Sequence, residues 1–129
     1  MNWEKLKEFA IRINDKNTFG SNKEVSKWIP EEISDLYKHY DPIKVELPFD
    51  GSSLSMIPYE KLLTTLKEYG LDESSVVFAT CDSDPFFMNK KQVFTFEHGT
   101  SKPEWEQLSE SIDSFFEKLI TDFEDDDCD

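Results

Sequence analysis

Residues 76–99 read VVFATCDSDPFFMNKKQVFTFEHG, and residues 109–123 read SESIDSFFEKLITDF. The first stretch begins with an unbroken apolar run, Val76 to Thr80, which predicts a central strand covered on both faces. A turn at Asp82-Ser83-Asp84-Pro85 and an aromatic hairpin follow it. The second stretch predicts an amphipathic helix with the apolar stripe Ile112, Phe115, Phe116, Leu119, Ile120 and Phe123. We therefore expect hairpin-connected strands with a helix after them.

Three further helices are predicted before this stretch. The first covers residues 3–13 behind an Asn2 cap, the second opens at Pro30, and the third runs from Pro58 to a terminating Gly70. Residues 14–22 are polar and predict a loop. Residues 43–47 alternate between apolar and charged side chains, which is typical of a half-buried strand.

Together these elements predict an α+β fold. We expect a single domain with a central, mostly antiparallel sheet and flanking N- and C-terminal helices. The chain of 129 residues is about one domain long, and its 18 aromatic residues are enough for a substantial core. The domain is expected to span residues 1–123, with residues 124–129 as an acidic, frayed tail.

The charge balance is strongly acidic, with 28 acidic against 14 basic side chains and a net charge of −14. The last eight residues contribute six of these acids, and the remainder still carries −8. Such a surface repels nucleic acid and attracts basic partners. The N-terminus MNWEKLKEF does not resemble a secretion signal, no apolar run is long enough for a membrane helix, and Cys81 and Cys128 suit a reducing compartment. We therefore expect a cytoplasmic protein that binds neither nucleic acid nor membranes.

Few residues suggest catalysis or metal binding. Cys81 and His98 could form a thiol–imidazole pair, but the position of Cys81 at the end of a core strand favours a packed thiol. Asp82-Ser83-Asp84 resembles the start of a calcium loop, yet Phe87 replaces the glycine of that motif and its final glutamate is missing. We predict no enzyme activity, no cofactor and no metal site.

The aromatic hairpin has two possible interpretations. Phe86, Phe87, Phe94 and Phe96 could form a recognition surface, but neighbouring aromatic side chains on two strands are more often part of a core. Because apolar residues occupy both faces, a helix or a partner must cover at least one of them. The connection Asn89-Lys90-Lys91 contains no Asn-Gly, which favours a longer type I turn over a two-residue turn.

The order of these motifs resembles the SUKH superfamily, which includes bacterial immunity proteins and a domain of fungal cell-wall synthesis regulators. The resemblance covers residues 28–123. WIPEEI, residues 28–33, is similar to the family's Leu-Pro helix opening, and FATCDSDPFF, residues 78–87, to its strand and Gly-Asp-Pro turn. QVFTFEHG, residues 92–99, is similar to its Val-Tyr strand and following His, and residues 109–119 to its closing Ser-Phe-x-x-Phe-Leu helix. Ser83 stands where the family prefers glycine, and IKVELPFDG replaces its Gly-rich stretch.

The resemblance implies an immunity protein that binds and neutralises a polymorphic toxin, such as a basic nuclease, by stoichiometric protein–protein contact. It implies no catalytic residue. Asp50, Asp82, Asp84 and Glu97 are the candidate partner-binding residues. The alternative is a scaffold or regulatory module that contacts several endogenous proteins, like the fungal members. The oligomeric state is left open.

Overall fold

A computed structural model describes residues 1–126. Within this range the chain forms four α-helices and eight strands. The helices are α1 (Trp3–Ile13), α2 (Glu31–His39), α3 (Leu62–Glu68) and α4 (Ile112–Asp126). The strands are β1 (Thr18–Gly20), β2 (Asp41–Lys44), β3 (Glu46–Phe49), β4 (Ser52–Met56), β5 (Ser75–Cys81), β6 (Asp84–Asn89), β7 (Gln92–Thr95) and β8 (Glu106–Ser109). None of the helices in residues 1–126 is both long enough and apolar enough to cross a lipid bilayer.

The strands form two antiparallel sheets. The larger has six strands in the order β3-β4-β5-β6-β7-β8, and β1 pairs with β2 in the smaller one. Helix α4 contacts both β3 and β8, the edge strands of the six-stranded sheet in the described chain, so the sheet curls around this helix. Helix α1 packs against α4 in the same layer. The predicted α+β domain with a mostly antiparallel sheet and terminal helices is confirmed.

The core lies on both faces of β5, as the unbroken apolar run predicted. On one face, Phe78 packs against Phe115 and Phe116 of α4, with ring centroids 5.5 and 5.6 Å apart. On the other face, Val77 and Phe87 form a buried cluster with Leu66 of α3. Aromatic pairs at these distances prefer tilted and edge-on arrangements, which fix the helices against the sheet.

The turns of the sheet differ from the prediction. Lys90-Lys91 is a two-residue loop between the paired residues Asn89 and Gln92, and both lysines have positive φ, so the expectation of a longer type I turn was wrong. Asp82-Ser83, with φ of 51° and 72°, forms the same kind of turn without glycine. Type I′ turns match the right-handed twist of the flanking strands, and here that match outweighs the steric cost of the positive φ values.

Several helices and strands begin or end at residues other than those predicted. Helix α4 continues to Asp126, so residues 124–126 of the predicted frayed tail are helical, while residues 127–129 lie outside the described residues. The last turns of α4 are held against α1, because Phe123 packs on Phe9 at 5.4 Å and Arg12 binds Glu124 at 3.2 Å.

The predicted loop at 14–22 contains β1, and the predicted strand at 43–47 is divided at Val45 between β2 and β3. A 3₁₀ turn, Tyr59–Lys61, precedes α3, so this helix starts later than expected. Its predicted end is confirmed, since Gly70 follows α3 with φ of 70°.

Candidate protein-binding surface

The four candidate carboxylates lie at one end of the six-stranded sheet. Asp50 belongs to the turn between β3 and β4, and Asp82 to the turn between β5 and β6. Asp84 pairs with Cys81 at the start of β6, and the register between β6 and β7 places Glu97 opposite it. The antiparallel connectivity thus brings residues almost 50 positions apart to the same edge, which we call the acidic end.

Hydrogen bonds hold two of these carboxylates in place. Ser52 Oγ donates to Asp82 Oδ1 at 2.9 Å, which joins the two neighbouring turns. Asp84 Oδ1 lies 2.9 Å from the backbone N of His98 and 2.6 Å from its ring Nδ1. Burial raises the pKa of Asp84, but these hydrogen bonds and the His98 charge outweigh it, so the pKa lies below its ordinary value. Asp50, Asp82 and Glu97 are exposed to solvent and available to a partner.

Cys81 and His98 are committed to other contacts. The His98 ring is hydrogen-bonded to Asp84, and Cys81 is buried at the end of β5. Burial raises the pKa of the Cys81 thiol. A hydrogen bond with Ser52 opposes this shift, and the charges of Asp82, Asp84 and Asp50 add to it. A thiol with a raised pKa stays protonated at neutral pH and is a weak nucleophile.

Asp82 and Asp84 do not converge as metal ligands. They lie on either side of Ser83, and Asp82 bonds Ser52 whereas Asp84 bonds His98. Among residues 1–126, no group of three or more His, Cys, Asp or Glu side chains is arranged to hold a metal ion. The turn is organised by hydrogen bonds within the protein.

A groove of about 900 Å³ opens beside the acidic end, on the α4 face of the sheet. Its walls come from both edge strands and from α4, because the sheet curls until β3 and β8 flank the same helix. The apolar part of its lining is Pro48, Phe49, Leu108, Phe115, Leu119 and Phe123, and its charged part is Asp50, Lys118, Asp122 and Asp125.

Of these charged residues, only Asp50 was a sequence candidate. Asp122 was assigned to the helix and Asp125 to the acidic tail, whose part in binding was left open. Because they are three residues apart on a helix, they lie on the same helix face. Which strands that face meets depends on the curl of the sheet.

A second cavity, of about 680 Å³, lies on the α3 face. Trp105 is 45% exposed there and packs on Phe87 at 4.8 Å, while Tyr69 packs on Phe96 at 6.2 Å. Tyr69 also donates its hydroxyl to the Ser83 carbonyl at 2.6 Å, which ties this cavity to the acidic end. Burial raises the pKa of Tyr69, and the charges of Glu68 and Asp84 raise it further.

The aromatic hairpin belongs mostly to the core. Phe86, Phe87 and Phe96 are buried, and Phe94 is half-buried beneath Trp105 at 5.6 Å. The interpretation of these side chains as packing groups is therefore confirmed, and helices cover both faces of the sheet. Trp105 is an exposed apolar group on this side, and it was not among the predicted binding residues.

No model of a known protein family matches the chain. Comparison with curated proteins and with solved structures also gave no match.

Proposed function

We propose that this domain is an immunity protein that neutralises a basic toxin by stoichiometric binding at its acidic end. The observation that carries the proposal is the convergence of Asp50, Asp82, Asp84 and Glu97 on one edge of the sheet, in a chain with a net charge of −14. The resemblance of residues 28–123 to the SUKH superfamily supports the same class of function.

The mechanism is exclusion of substrate by charge. A nuclease cleft is basic because it holds phosphates, and carboxylates on a rigid sheet end can occupy it without being cleaved. Complementary charge speeds the encounter and suppresses wrong partners, and the acceleration weakens as salt screens it. Hydrogen bonds from Ser52 and His98 fix two of the carboxylates before binding, which reduces the entropy lost on association.

The proposal is tested by co-expression with the toxin encoded by the adjacent gene. We expect growth to be rescued and the two proteins to co-purify in a 1:1 complex. Loss of both rescue and co-purification would contradict the proposal.

A pair of matched variants tests the surface. Asp82→Asn with Glu97→Gln removes two charges from the acidic end. Glu73→Gln with Glu31→Gln removes two exposed charges away from the acidic end, since Glu73 precedes β5 and the start of α2 contacts the Lys90-Lys91 turn. We expect the first pair to slow association with the toxin roughly tenfold at low salt and to flatten its salt dependence. Equal effects of the two pairs would show that only net charge matters.

A scaffold module that contacts several endogenous proteins is the second candidate. The observation that favours it is the exposed Trp105 beside the second cavity, since exposed aromatic groups are enriched at protein interfaces. Several unrelated partners that lose binding on Trp105→Ala would support this function, whereas a single toxin partner would support the first.

A further inference from the structure

We propose that the groove between β3, β8 and α4 binds a segment of the partner in which an apolar side chain stands beside a lysine or arginine. The inference rests on the proposed function, because it names the part of the basic toxin that this protein would recognise. It adds a specific pocket to the acidic end.

The composition of the groove defines its occupant. Phe49 stacks on Phe115 with ring centroids 5.7 Å apart, and these rings form part of an apolar lining that can accept an aliphatic or aromatic side chain. Asp50, Asp122 and Asp125 line the same groove with one lysine, so carboxylates outnumber ammonium groups three to one. A peptide with only apolar residues would leave the excess of negative charge in the groove uncompensated, and an acidic one would be repelled.

Lys118 shows how the groove holds a cation. Its Nζ lies 2.7 Å from Asp122 Oδ2, and its side chain is 74% exposed. A hydrogen bond with Asp122 and the charges of Asp122 and Asp50 raise the pKa of Lys118. An incoming lysine or arginine can therefore compete with Lys118 for Asp122, while Asp50 and Asp125 add to the attraction.

Recognition must use side chains on the β3 side, because the outer edge of that strand is closed. Glu46 donates its backbone N–H to Asn17 Oδ1 at 3.0 Å, and its carbonyl accepts from Asn17 Nδ2 at 3.1 Å. Two residues further along the same edge, Pro48 has no N–H to donate. A partner strand cannot extend the sheet there, so the groove selects by shape and charge.

A second copy of this chain is a poor occupant. Each copy carries a net charge of −14, and the groove is itself negative, so association through this face would bring like charges together.

The test uses the peptide acetyl-Lys-Phe-Lys-amide and backbone amide chemical shifts of the full chain. We expect the largest shifts at residues 50–52, 108–109 and 118–125. Acetyl-Lys-Ala-Lys-amide should bind more weakly, and acetyl-Glu-Phe-Glu-amide should not bind. Asp122→Asn should weaken the first peptide about twofold to fivefold, the range for one exposed charge pair, and Lys118→Gln should strengthen it by a similar factor.

Glu124→Gln is the matched control. It removes the same charge from the same helix, but Glu124 pairs with Arg12 of α1 and does not line the groove. Binding should be unchanged in this variant. Equal weakening by Asp122→Asn and Glu124→Gln, peptide shifts centred on Trp105, or shifts that depend on protein concentration alone would overturn the inference.

The two proposals fail separately. If the wild type and Asp122→Asn bind and neutralise the toxin equally well, the groove proposal is refuted and the immunity function is retained. If the peptide binds in the groove but the toxin encoded by the adjacent gene is not neutralised, the immunity function is refuted and the groove proposal is retained.

Discussion

The Asp84 carboxylate holds His98 by two contacts, 2.6 Å to the ring Nδ1 and 2.9 Å to the backbone N. The pKa of Asp84 is therefore lowered on folding, although burial opposes the shift. A lowered pKa stabilises the fold fully above the unfolded value of about 3.9 and loses that stabilisation as the pH falls through the folded value. Asp84 thus makes the folding free energy depend on pH in the acidic range.

Asp84→Asn keeps an oxygen acceptor and removes the charge. We expect it to lower the unfolding free energy at neutral pH by about 0.5–1 kcal/mol, since Asp84 is partly exposed. The difference from the wild type should shrink between about pH 5 and about pH 2, as the wild type loses its ionised carboxylate. Urea unfolding across this range measures it. A difference that is independent of pH would contradict the assignment.

Ser83→Gly should stabilise the protein. Ser83 has φ of 72°, in the left-handed region, where a side chain costs about 1–2 kcal/mol and glycine does not. The unfolded-state entropy of glycine offsets part of this, so we expect a net gain of about 0.5–1 kcal/mol in urea unfolding. Ser53→Gly is the control, because Ser53 is exposed in the extended strand β4 and the change should be destabilising there. A loss of stability in Ser83→Gly would contradict the prediction.

Asn17→Ala should strongly destabilise the protein. Asn17 is 8% exposed, and its amide bonds the carbonyls of Ala10 and Glu46 and the Glu46 N–H. Its removal leaves the Glu46 N–H and carbonyl without partners, while the Ala10 carbonyl keeps the Asn14 N–H. We expect a loss of about 2–3 kcal/mol in unfolding free energy.

Asn14→Ala is the comparison for this prediction, since the Asn14 side chain accepts a bond from exposed Lys16 N. That variant should change the unfolding free energy by about 0.5 kcal/mol or less. Similar losses in both variants would show that the hydrogen bonds of the Asn17 side chain contribute no more to stability than the exposed one of Asn14.

Tyr37→Phe should stabilise the protein by about 1 kcal/mol, because the hydroxyl of this fully buried side chain has no hydrogen-bond partner among the described residues. Tyr59 is a matched control, 6.2 Å away ring to ring, with its hydroxyl bonded to Ser26 N at 2.9 Å. Tyr59→Phe should lose about 1 kcal/mol in thermal or urea unfolding. Destabilisation by Tyr37→Phe would mean that the hydroxyl is satisfied in solution.

The sequence predicted those parts of the fold that depend on apolar periodicity. The apolar stripe of α4 and the unbroken apolar run of β5 identified the central layers. Burial on one face or on both faces determines which positions of an element are apolar, and this spacing can be read in the sequence. The turns at Asp82-Ser83 and Lys90-Lys91 could not be predicted in the same way. Their conformation is imposed by the twist of the paired strands, against the preference of the residues themselves.

The candidate surface was predictable only in part. Asp82 and Asp84 are separated by one residue in sequence, and hairpin pairing brings Glu97 next to them. The contribution of Asp122 and Asp125 depends on how far the sheet curls towards α4, which is a property of the whole packed core.

The closure of β3 by Asn17 and Pro48 affects how this protein can change over generations. Many sheets rely on edge charges to prevent aggregation, so that altering those charges endangers solubility. Here the Asn17 amide and Pro48 protect the edge of β3, and the neighbouring aspartates are not needed for this protection. Substitutions at Asp50, Asp122 or Asp125 would therefore change the proposed binding groove while the edge of β3 stays closed.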